Sequence, residues 1–234
     1  MTDTVYRTSL IVGAGSGLSA SIARRLARSG LRVALAARHT GKLEPLCTEI
    51  GATAYACDAQ DPAQVSRLFD AVERDIGPPD VLVYNASGRV RGPFTTLDPE
   101  EVRRSLLVSA FGGFLVVQRA LPAMLGKGFG AILLTGASAS VKGYAESAPF
   151  AMGKFGLRGL AQSMARELSP KGIHVAHFVI DGGIARAGDP RAAERGEDGL
   201  LAPEAIARAY VNLWRQHRSA WTWELELRPW VERF

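Results

Sequence analysis

The feature that most constrains the fold is a glycine-rich turn near the N-terminus, placed between an apolar strand and a helix. The run Leu10–Val12 is apolar, three glycines follow within the next five residues, and a helical pattern begins at Leu18. Such glycines let a ligand approach the backbone, and the first amides of the helix attract phosphate. A turn without a ligand is the simpler alternative, but the placement favours a dinucleotide pyrophosphate site. Its predicted contacts are Gly13, Gly15, Ser16, Gly17 and Leu18.

Beyond this turn, short apolar runs alternate with longer helical patterns. Strands are predicted at Ser9–Val12, Val33–Ala36, Thr53–Ala56, Val81–Val83, Ala131–Leu134, His174–Ile180 and Ala220–Leu227. Helices are predicted at Leu18–Ser29, Lys42–Ile50, Ala63–Ile76, Glu100–Leu125, Pro149–Leu168 and Pro203–Gln216. Alternation of this kind predicts an α/β fold, a doubly wound, Rossmann-type three-layer sandwich with a mostly parallel seven-stranded sheet. Residues 182–201 have no periodicity, and we expect a flexible loop over the substrate.

Composition limits the alternatives. A chain of 234 residues suggests one domain, residues 1–234. The net charge is +5, but the basic residues are spread singly, so we expect no nucleic-acid partner. The apolar run Leu106–Val117 is too short to span a membrane. Cys47 and Cys57 lack metal-ligand spacing, so no metal is expected. Without a recognisable secretory signal, we expect a cytoplasmic protein.

The end of the second predicted strand indicates which dinucleotide is bound. A carboxylate that binds the adenosine ribose usually stands about 20 residues after the glycines. Here the segment is Ala36-Ala37-Arg38-His39, and the first carboxylate is Glu44. An arginine attracts a 2′-phosphate that a carboxylate would repel. We therefore predict NADP(H) in preference to NAD(H), although Arg38 could also be an ordinary exposed loop residue.

Several motifs occur in an order that resembles the short-chain dehydrogenase/reductase family. They are Gly13-x-x-x-Gly17, Cys57-Asp58-Ala59, Tyr84-Asn85-Ala86-Ser87-Gly88, Lys154 on a helix, and Asp181-Gly182-Gly183-Ile184. Val12 and Ser19 depart from the threonine and third glycine of the family loop. The resemblance implies an NAD(P)-binding Rossmann fold. It also implies that Asp58, Ala59, Asn85, Ala86, Ser87, Lys154 and Ile184 contact the cofactor.

The catalytic set that the resemblance implies is incomplete. Reductases of this family use an asparagine, a serine, a tyrosine and a lysine, and only Lys154 matches. Phe150 stands at the usual tyrosine position, four residues before the lysine. The serine position falls on Ala137, beside Ser138, and Ser109 stands at the usual asparagine position. A general acid contributes about 10²–10⁴ in rate, whereas orientation of the reactants can contribute more.

Two functions therefore stay open. One is an atypical NADP(H)-dependent oxidoreductase of a small carbonyl or hydroxyl compound, in which Ser138, solvent or the substrate handles the proton. The other is a catalytically silent NADP(H)-binding sensor or assembly protein. Tyr144, just before the helix of Lys154, is expected to serve packing or a lid. Members of the family usually form oligomers, so the resemblance implies a homodimer or homotetramer. The apolar segments Leu106–Val117 and Phe155–Leu168 favour such an interface.

Overall fold

The computed structural model describes residues 6–232, and its centre is one sheet of seven strands. The strands are β1 Thr8–Val12, β2 Arg32–Ala37, β3 Thr53–Ala56, β4 Val81–Tyr84, β5 Gly130–Thr135, β6 Ile173–Ile180 and β7 Glu224–Leu227. Their spatial order is β3-β2-β1-β4-β5-β6-β7, and all neighbouring pairs are parallel. The predicted doubly wound fold is confirmed, with a sheet that is parallel throughout these strands.

Helices cover both faces of the sheet. They are α1 Leu18–Arg28, α2 Glu44–Ile50, α3 Pro62–Ile76, α4 Pro99–Leu106, α5 Gly112–Lys127, α6 Ala148–Leu168, α7 Arg191–Arg195 and α8 Pro203–Trp214. α1 and α8 pack against each other, and α3, α5 and α6 form the opposite layer. A parallel strand pair needs a long crossover, and a helix in that crossover covers the sheet. The three layers follow from this connectivity.

The core is divided between the two faces because successive strand residues point in opposite directions. In β1, Ile11 packs with Phe178 and Tyr210 on the α1/α8 side, whereas Leu10 joins the α3/α5 side. Every residue of β1, β4, β5 and β6 is buried. Continuous apolar strands are typical of sheets covered on both faces. This explains why the strand predictions succeeded without an alternating pattern.

The strand order reverses direction between β1 and β4. From β1 the chain builds outward through β2 and β3, and it then returns to build β4 to β7 on the other side. The loops after β1 and β4 therefore leave the sheet toward opposite faces. In open α/β sheets, ligands bind in the crevice that opens at this point. The predicted site residues follow the carboxyl ends of these strands.

The single helix predicted over Glu100–Leu125 is interrupted. A π turn, Leu107–Phe111, separates α4 from α5. The buried Tyr84 hydroxyl at the end of β4 donates a hydrogen bond to the Val108 carbonyl, so this carbonyl has a partner outside the helix. Side chains that insert at a helix in this way often accompany π turns. The periodicity of the sequence gave no sign of this contact.

Three predictions for the C-terminal part of the chain were too long or too simple. The last strand begins at Glu224 rather than Ala220, and helix α8 ends at Trp214. The Gln216 side chain forms hydrogen bonds to the Thr222 amide and hydroxyl, and these bonds stabilise a turn between them. Residues 182–201, predicted to be an irregular loop, contain α7 and are closed at their base by a parallel bridge between Ile184 and Leu201.

Candidate functional site

The glycine loop joins β1 to α1, and its first glycine is required by the fold itself. Gly13 has φ +86°, and a Cβ there would overlap the backbone of Ala86. The amides of Gly13 and Ala14 both donate to the carbonyl of Ala36, each at 2.9 Å. The turn is thus fixed against β2 and against the loop after β4. Only glycine combines this conformation with this close approach.

The other two glycines have a different explanation. Neither Gly15 nor Gly17 has positive φ, and a Cβ built on either would meet no atom within 4 Å. Lack of space for a side chain therefore does not explain glycine at these positions. The space above the loop lies at the start of α1, beside the exposed Ser16, where backbone amides and the helix dipole favour an anion. The site fits a pyrophosphate that approaches the backbone closely.

Ser19, which departs from the family's third glycine, serves the same loop. Its hydroxyl donates to the Gly13 carbonyl at 3.1 Å and accepts from Asn85 Nδ2 at 2.7 Å. Asn85 follows β4, and its own amide donates to the Val12 carbonyl at 2.8 Å. The serine is buried and links the two loops that flank the switch point. The substitution therefore preserves the loop geometry.

One cavity lies beside the glycine loop at the ends of β2 and β3, with a volume of about 590 Å³. Its lining includes the predicted residues Arg38, Asp58, Ala59, Asn85, Ala86 and Ser87. Arg38 is exposed, and no carboxylate of residues 6–232 forms an ion pair with it. The Asp58 carboxylate accepts hydrogen bonds from the backbone and side chain of Gln60. A cationic side chain and several polar groups thus line the cavity in which the adenosine half of a dinucleotide would fit.

A second cavity, also of about 590 Å³, continues along the sheet edge past β4, β5 and β6. Both cavities are lined by Asn85 and Ser87, so together they form one groove across the switch point. Lys154, Phe150, Ser138, Tyr144 and Ile184 all line the second cavity. The structure therefore brings together most of the residues that the sequence analysis selected for binding and chemistry.

Lys154 is buried on α6, and its ammonium donates a hydrogen bond to the Thr135 carbonyl at 2.7 Å. Burial, with a smaller contribution from the positive charge of Arg89, lowers the pKa of Lys154 to about 8. No carboxylate of the described residues neutralises it. A buried, unpaired ammonium is costly and is typical of functional sites. Two further N–H groups remain to bind a ligand in the groove.

Phe150 places an aromatic ring where a proton donor is usual. The Lys154 ammonium lies 5.9 Å from the centre of this ring, and the Arg89 guanidinium lies 4.9 Å from it. Cations over an aromatic face are attracted by its electrons. Phe150 has no hydroxyl and cannot exchange a proton. Its ring instead contacts the guanidinium of Arg89, a residue that the sequence analysis did not select. The available signal was an arginine four residues after Asn85, in the loop after β4.

The two serines near the catalytic positions have different environments. Ser138 begins a short 3₁₀ turn after β5, is half-buried and lines the cavity. Ser109 lies in the π turn and is fully buried, and its hydroxyl accepts a hydrogen bond from the Gly88 amide at 3.0 Å. This bond fixes the loop that carries Arg89. Ser138 is thus the better placed hydroxyl for contact with a ligand.

Tyr144 also has a hydroxyl in this region. It is 47% exposed, lies before α6 and lines the cavity mouth. The segment around it is tied to the loop after β4, because the Gly92 amide donates to the Glu146 carbonyl. The lid or packing role expected for Tyr144 remains a prediction.

Two other predictions concern metals and membranes. Within residues 6–232, no group of three His, Cys, Asp or Glu side chains is arranged to hold a metal ion. The run Leu106–Val117 was predicted to be too short to span a membrane, and this was wrong as to length: it belongs to a helical stretch, Pro99–Lys127, that is long and apolar enough to cross one. Of its most apolar 18 residues, 33% are buried. Core helices of globular proteins pass the same test. Here the stretch packs against α3 and α6.

Comparison with known proteins gives consistent matches over most of the chain. A family model described as short chain dehydrogenase matches residues 7–186. The chain is 34% identical over 190 residues to the 3-oxoacyl-(acyl-carrier-protein) reductase MabA of Mycobacterium tuberculosis, covering 80% of this chain and 74% of that protein.

Solved structures resemble the fold over nearly its whole length. A short-chain dehydrogenase from Rhodopseudomonas palustris superposes with a TM-score of 0.84 at 35% identity, covering 97% of this chain and 100% of that one. A metagenomic short-chain oxidoreductase in complex with NADP gives a TM-score of 0.82 at 29% identity, covering 95% of this chain and 97% of that one. The residues that the family model matches, 7–186, contain every strand from β1 to β6.

Proposed function

The chain belongs to the short-chain dehydrogenase/reductase family, and from that premise we propose that it is an atypical NADP(H)-dependent oxidoreductase of a small carbonyl or hydroxyl compound. The observation that supports this best is the continuous groove across the switch point. The phosphate seat, formed by the glycine loop and Arg38, lies toward one end of the groove, and the buried Lys154 lies at the other. The groove's position at the carboxyl ends of the strands suits a dinucleotide with a substrate beside it.

The cofactor would be held along this groove by the residues that the sequence analysis selected. The amides of Gly15, Ser16, Gly17 and Leu18 would bind its pyrophosphate, Arg38 its 2′-phosphate, and Asp58, Ala59, Asn85, Ala86 and Ser87 its adenosine half and the adjoining ribose. Lys154 and Ile184 line the opposite end. When bound, a nicotinamide supplies or accepts a hydride. The NADP complex of the similar metagenomic oxidoreductase supports a cofactor of this class.

The chain's own contribution at the reacting end is mainly positioning and charge. The Lys154 ammonium, held by Thr135, can donate hydrogen bonds to a ribose or to a substrate oxygen. Phe150 makes the wall of this end more apolar than a tyrosine would. With no phenol at residue 150, the proton that accompanies reduction of a carbonyl would come from solvent or through the Ser138 hydroxyl. Orientation alone can lower the barrier by up to about 7–11 kcal/mol.

The second candidate is a catalytically silent NADP(H)-binding sensor or assembly protein. It is favoured by Phe150 and by Ala137, which lacks the serine hydroxyl of the family pattern. The phosphate seat and Lys154 fit this function equally well. The two candidates differ only in whether the bound cofactor is consumed.

A two-stage experiment separates these functions. NADPH is first titrated into the protein by fluorescence, with calorimetry as a second measure, and we expect saturable binding. Aldehydes, ketones and enones are then screened for oxidation of the bound cofactor. Turnover of any class supports the oxidoreductase, whereas tight binding without turnover supports the silent protein. No heat with either nicotinamide coenzyme would contradict both.

We also propose that the chain forms a homodimer or homotetramer through α5 and α6. Phe111 and Phe114 are each about 40% exposed, and Met152 and Phe155 on the neighbouring α6 are exposed to a similar degree. The π turn that carries Phe111 packs directly on α6. Four large apolar side chains at one helix pair are typical of a subunit interface. Light scattering at micromolar concentration tests this, and a monomer peak would refute it.

A further inference from the structure

The second cavity is lined by many more basic than acidic side chains. The basic ones are Arg89, Arg91, Lys154, Arg186, Arg191 and Arg195. The acidic ones are Asp181 and Glu232. These arginines come from the loop after β4 and from the segment 182–201, so they are distant in sequence. Folding brings them to one cavity mouth.

Ion pairs account for part of this set. The Asp181 carboxylate lies 3.2 Å from Lys142 Nζ and also pairs with Arg228, so it is already neutralised from outside the cavity. Glu232 pairs with Arg195 at 3.3 Å. Arg191 pairs with Asp189 at 2.6 Å. The carboxylates near the cavity are therefore already ion-paired with these residues.

Three arginines remain without such a partner. In the part of the chain that the structure describes, no carboxylate forms an ion pair with Arg89, Arg91 or Arg186. Burial, followed by the charges of Arg91, Arg186 and Arg191, lowers the pKa of Arg89. Like charges held together in a concave site destabilise it, and an anion would relieve this repulsion.

Phosphate groups of the proposed cofactor would neutralise only one of these three arginines. Arg186 also lines the small cavity beside Gly13, Gly15 and Gly17, where it can face a pyrophosphate. Arg89 and Arg91 line neither that cavity nor the one around Arg38. The Arg89 guanidinium is instead held over the Phe150 ring at 4.9 Å. A planar guanidinium backed by a ring can offer two parallel N–H groups to an anion.

Resting on the proposed function, we propose that the substrate carries an anionic group, a carboxylate or a phosphate, which Arg89 and Arg91 bind beside Phe150. Arg89 and Lys154 both contact the same ring, so the anion would lie close to the reacting carbon. This favours compact oxo acids, hydroxy acids or sugar-phosphate-like compounds over long neutral chains. The replacement at residue 150 then provides a platform for the arginine that holds the substrate.

The test uses matched pairs that differ in charge. The first pair is acetoacetate and its methyl ester, and the second is dihydroxyacetone phosphate and dihydroxyacetone. Each probe is titrated calorimetrically at low salt into the protein alone and into the protein saturated with NADP⁺, and NADPH oxidation is followed separately. We expect the anion of at least one pair to bind at least tenfold more tightly than its neutral partner. The pair that does so distinguishes carboxylate from phosphate.

The variant for this test is the double substitution Arg89→Gln and Arg91→Gln. Its matched control is Arg67→Gln, which removes an exposed charge on α3 outside the described cavities. We expect the double variant to weaken anion binding about 10–100-fold, with no change for the neutral probes, and the control to change neither. A thermal melt checks that each variant is folded.

The outcomes separate this inference from the proposed function. If NADP⁺ fails to bind, the proposed function fails, yet the titration without cofactor still tests the arginines. If NADP⁺ binds but charged and neutral probes bind equally, the anion site is wrong and the oxidoreductase proposal stands. Anion binding that survives the double substitution unchanged would also overturn the assignment of the site to Arg89 and Arg91.

Discussion

The two ends of the groove differ in how closely they follow the family pattern. At the adenosine end, the glycines that shape the turn are kept. Of the two departures there, Val12 and Ser19, the serine links the glycine loop to Asn85 through its hydroxyl. At the other end only Lys154 is kept, and Phe150 and Ala137 have lost the hydroxyls that carry the usual chemistry. The comparison teaches that the shape of a cofactor seat and the chemistry beside it can change independently in one fold.

The physical reason is that the turn beside the adenosine end is fixed by backbone packing, whereas the other end is lined by side chains. Gly13 cannot be exchanged, because its φ and its contact with Ala86 belong to the packing of β1 against β4. Phe150 and Ser138 point into an open cavity and contribute little to the core. Substitutions at the second end therefore leave the fold intact.

The largest effect is expected from Gly13→Ala. The new Cβ would overlap the Ala86 backbone at an unfavourable positive φ, so the free energy of unfolding should fall by roughly 2–4 kcal/mol. Urea denaturation of the cofactor-free protein measures this. The matched control is Gly15→Ala, which has open space around it and should change stability by about 0.5 kcal/mol or less. Equal losses from both variants would show that the two glycines do not differ as described.

Lys154→Met should have the next largest effect, and we expect it to stabilise the cofactor-free protein. Burial lowers the pKa of Lys154 to about 8, from an ordinary value of 10.5. Between these values the unfolded chain binds more protons than the folded one, so the parent gains stability as pH rises. Removing the ammonium at pH 7 should raise the free energy of unfolding by about 1–3 kcal/mol, with the lost Thr135 hydrogen bond as an offset.

The pH dependence provides the check on that prediction. The advantage of Lys154→Met over the parent should be largest at pH 7 and should shrink as pH approaches 10.5. Denaturant melts at three pH values in this range measure it. We also expect weaker cofactor binding, because the ammonium is then absent from the groove. A variant that is less stable than the parent at every pH would mean that Lys154 is well compensated in its site.

A smaller effect is expected from Arg38→Ala, which concerns the adenosine end. The guanidinium is exposed and offers charge to a 2′-phosphate, so its loss should weaken NADPH binding about 10–100-fold. NADH lacks this phosphate, and its affinity should stay unchanged. Parallel fluorescence titrations of the two coenzymes provide the comparison. An equal loss for both would assign Arg38 a role in the shape of the loop rather than in phosphate selection.

The sequence predicted the adenosine end better because its signals are local. Gly13, Gly15 and Gly17 lie within five residues, and Arg38 follows a recognisable strand, so pattern and spacing were sufficient to bring them to neighbouring cavities. Their contacts with a cofactor stay a prediction. The parallel sheet was likewise predicted from short apolar runs that alternate with helical patterns. The boundaries of α5 and β7 were missed because they depend on side-chain contacts that the periodicity of the sequence does not encode. Examples are the bond from Tyr84 to Val108 and the turn joining Gln216 to Thr222.

The other end of the groove is formed by residues that are distant in the sequence. The residues selected by counting positions from the family pattern, Phe150, Ser138 and Lys154, line one cavity in the structure. The basic residues, however, appeared scattered along the chain, which argued only against nucleic acid. The fold brings Arg89 and Arg186 to the same mouth, and no local pattern encodes that convergence. An arginine cluster assembled from two loops is visible only in three dimensions.

The smallest effect is expected from the substitution that nominally restores the lost chemistry, Phe150→Tyr. A positioned general acid is worth about 10²–10⁴ in rate, but we expect a gain of less than about tenfold in carbonyl reduction. Ala137 still lacks a hydroxyl to polarise the substrate, and the Ser109 hydroxyl already accepts the Gly88 amide. The Arg89 guanidinium also lies over the ring and would hold the substrate in a different orientation.

The measurement is NADPH oxidation with a ketone panel, and Phe150→Leu serves as the control because it removes the ring without adding a hydroxyl. We expect Phe150→Leu to weaken anion binding, since Arg89 loses its platform, whereas Phe150→Tyr should retain that binding. A robust ketoreductase from Phe150→Tyr alone would mean that only one side chain separates this chain from the family's usual chemistry. The second end of the groove would then be as well preserved as the first.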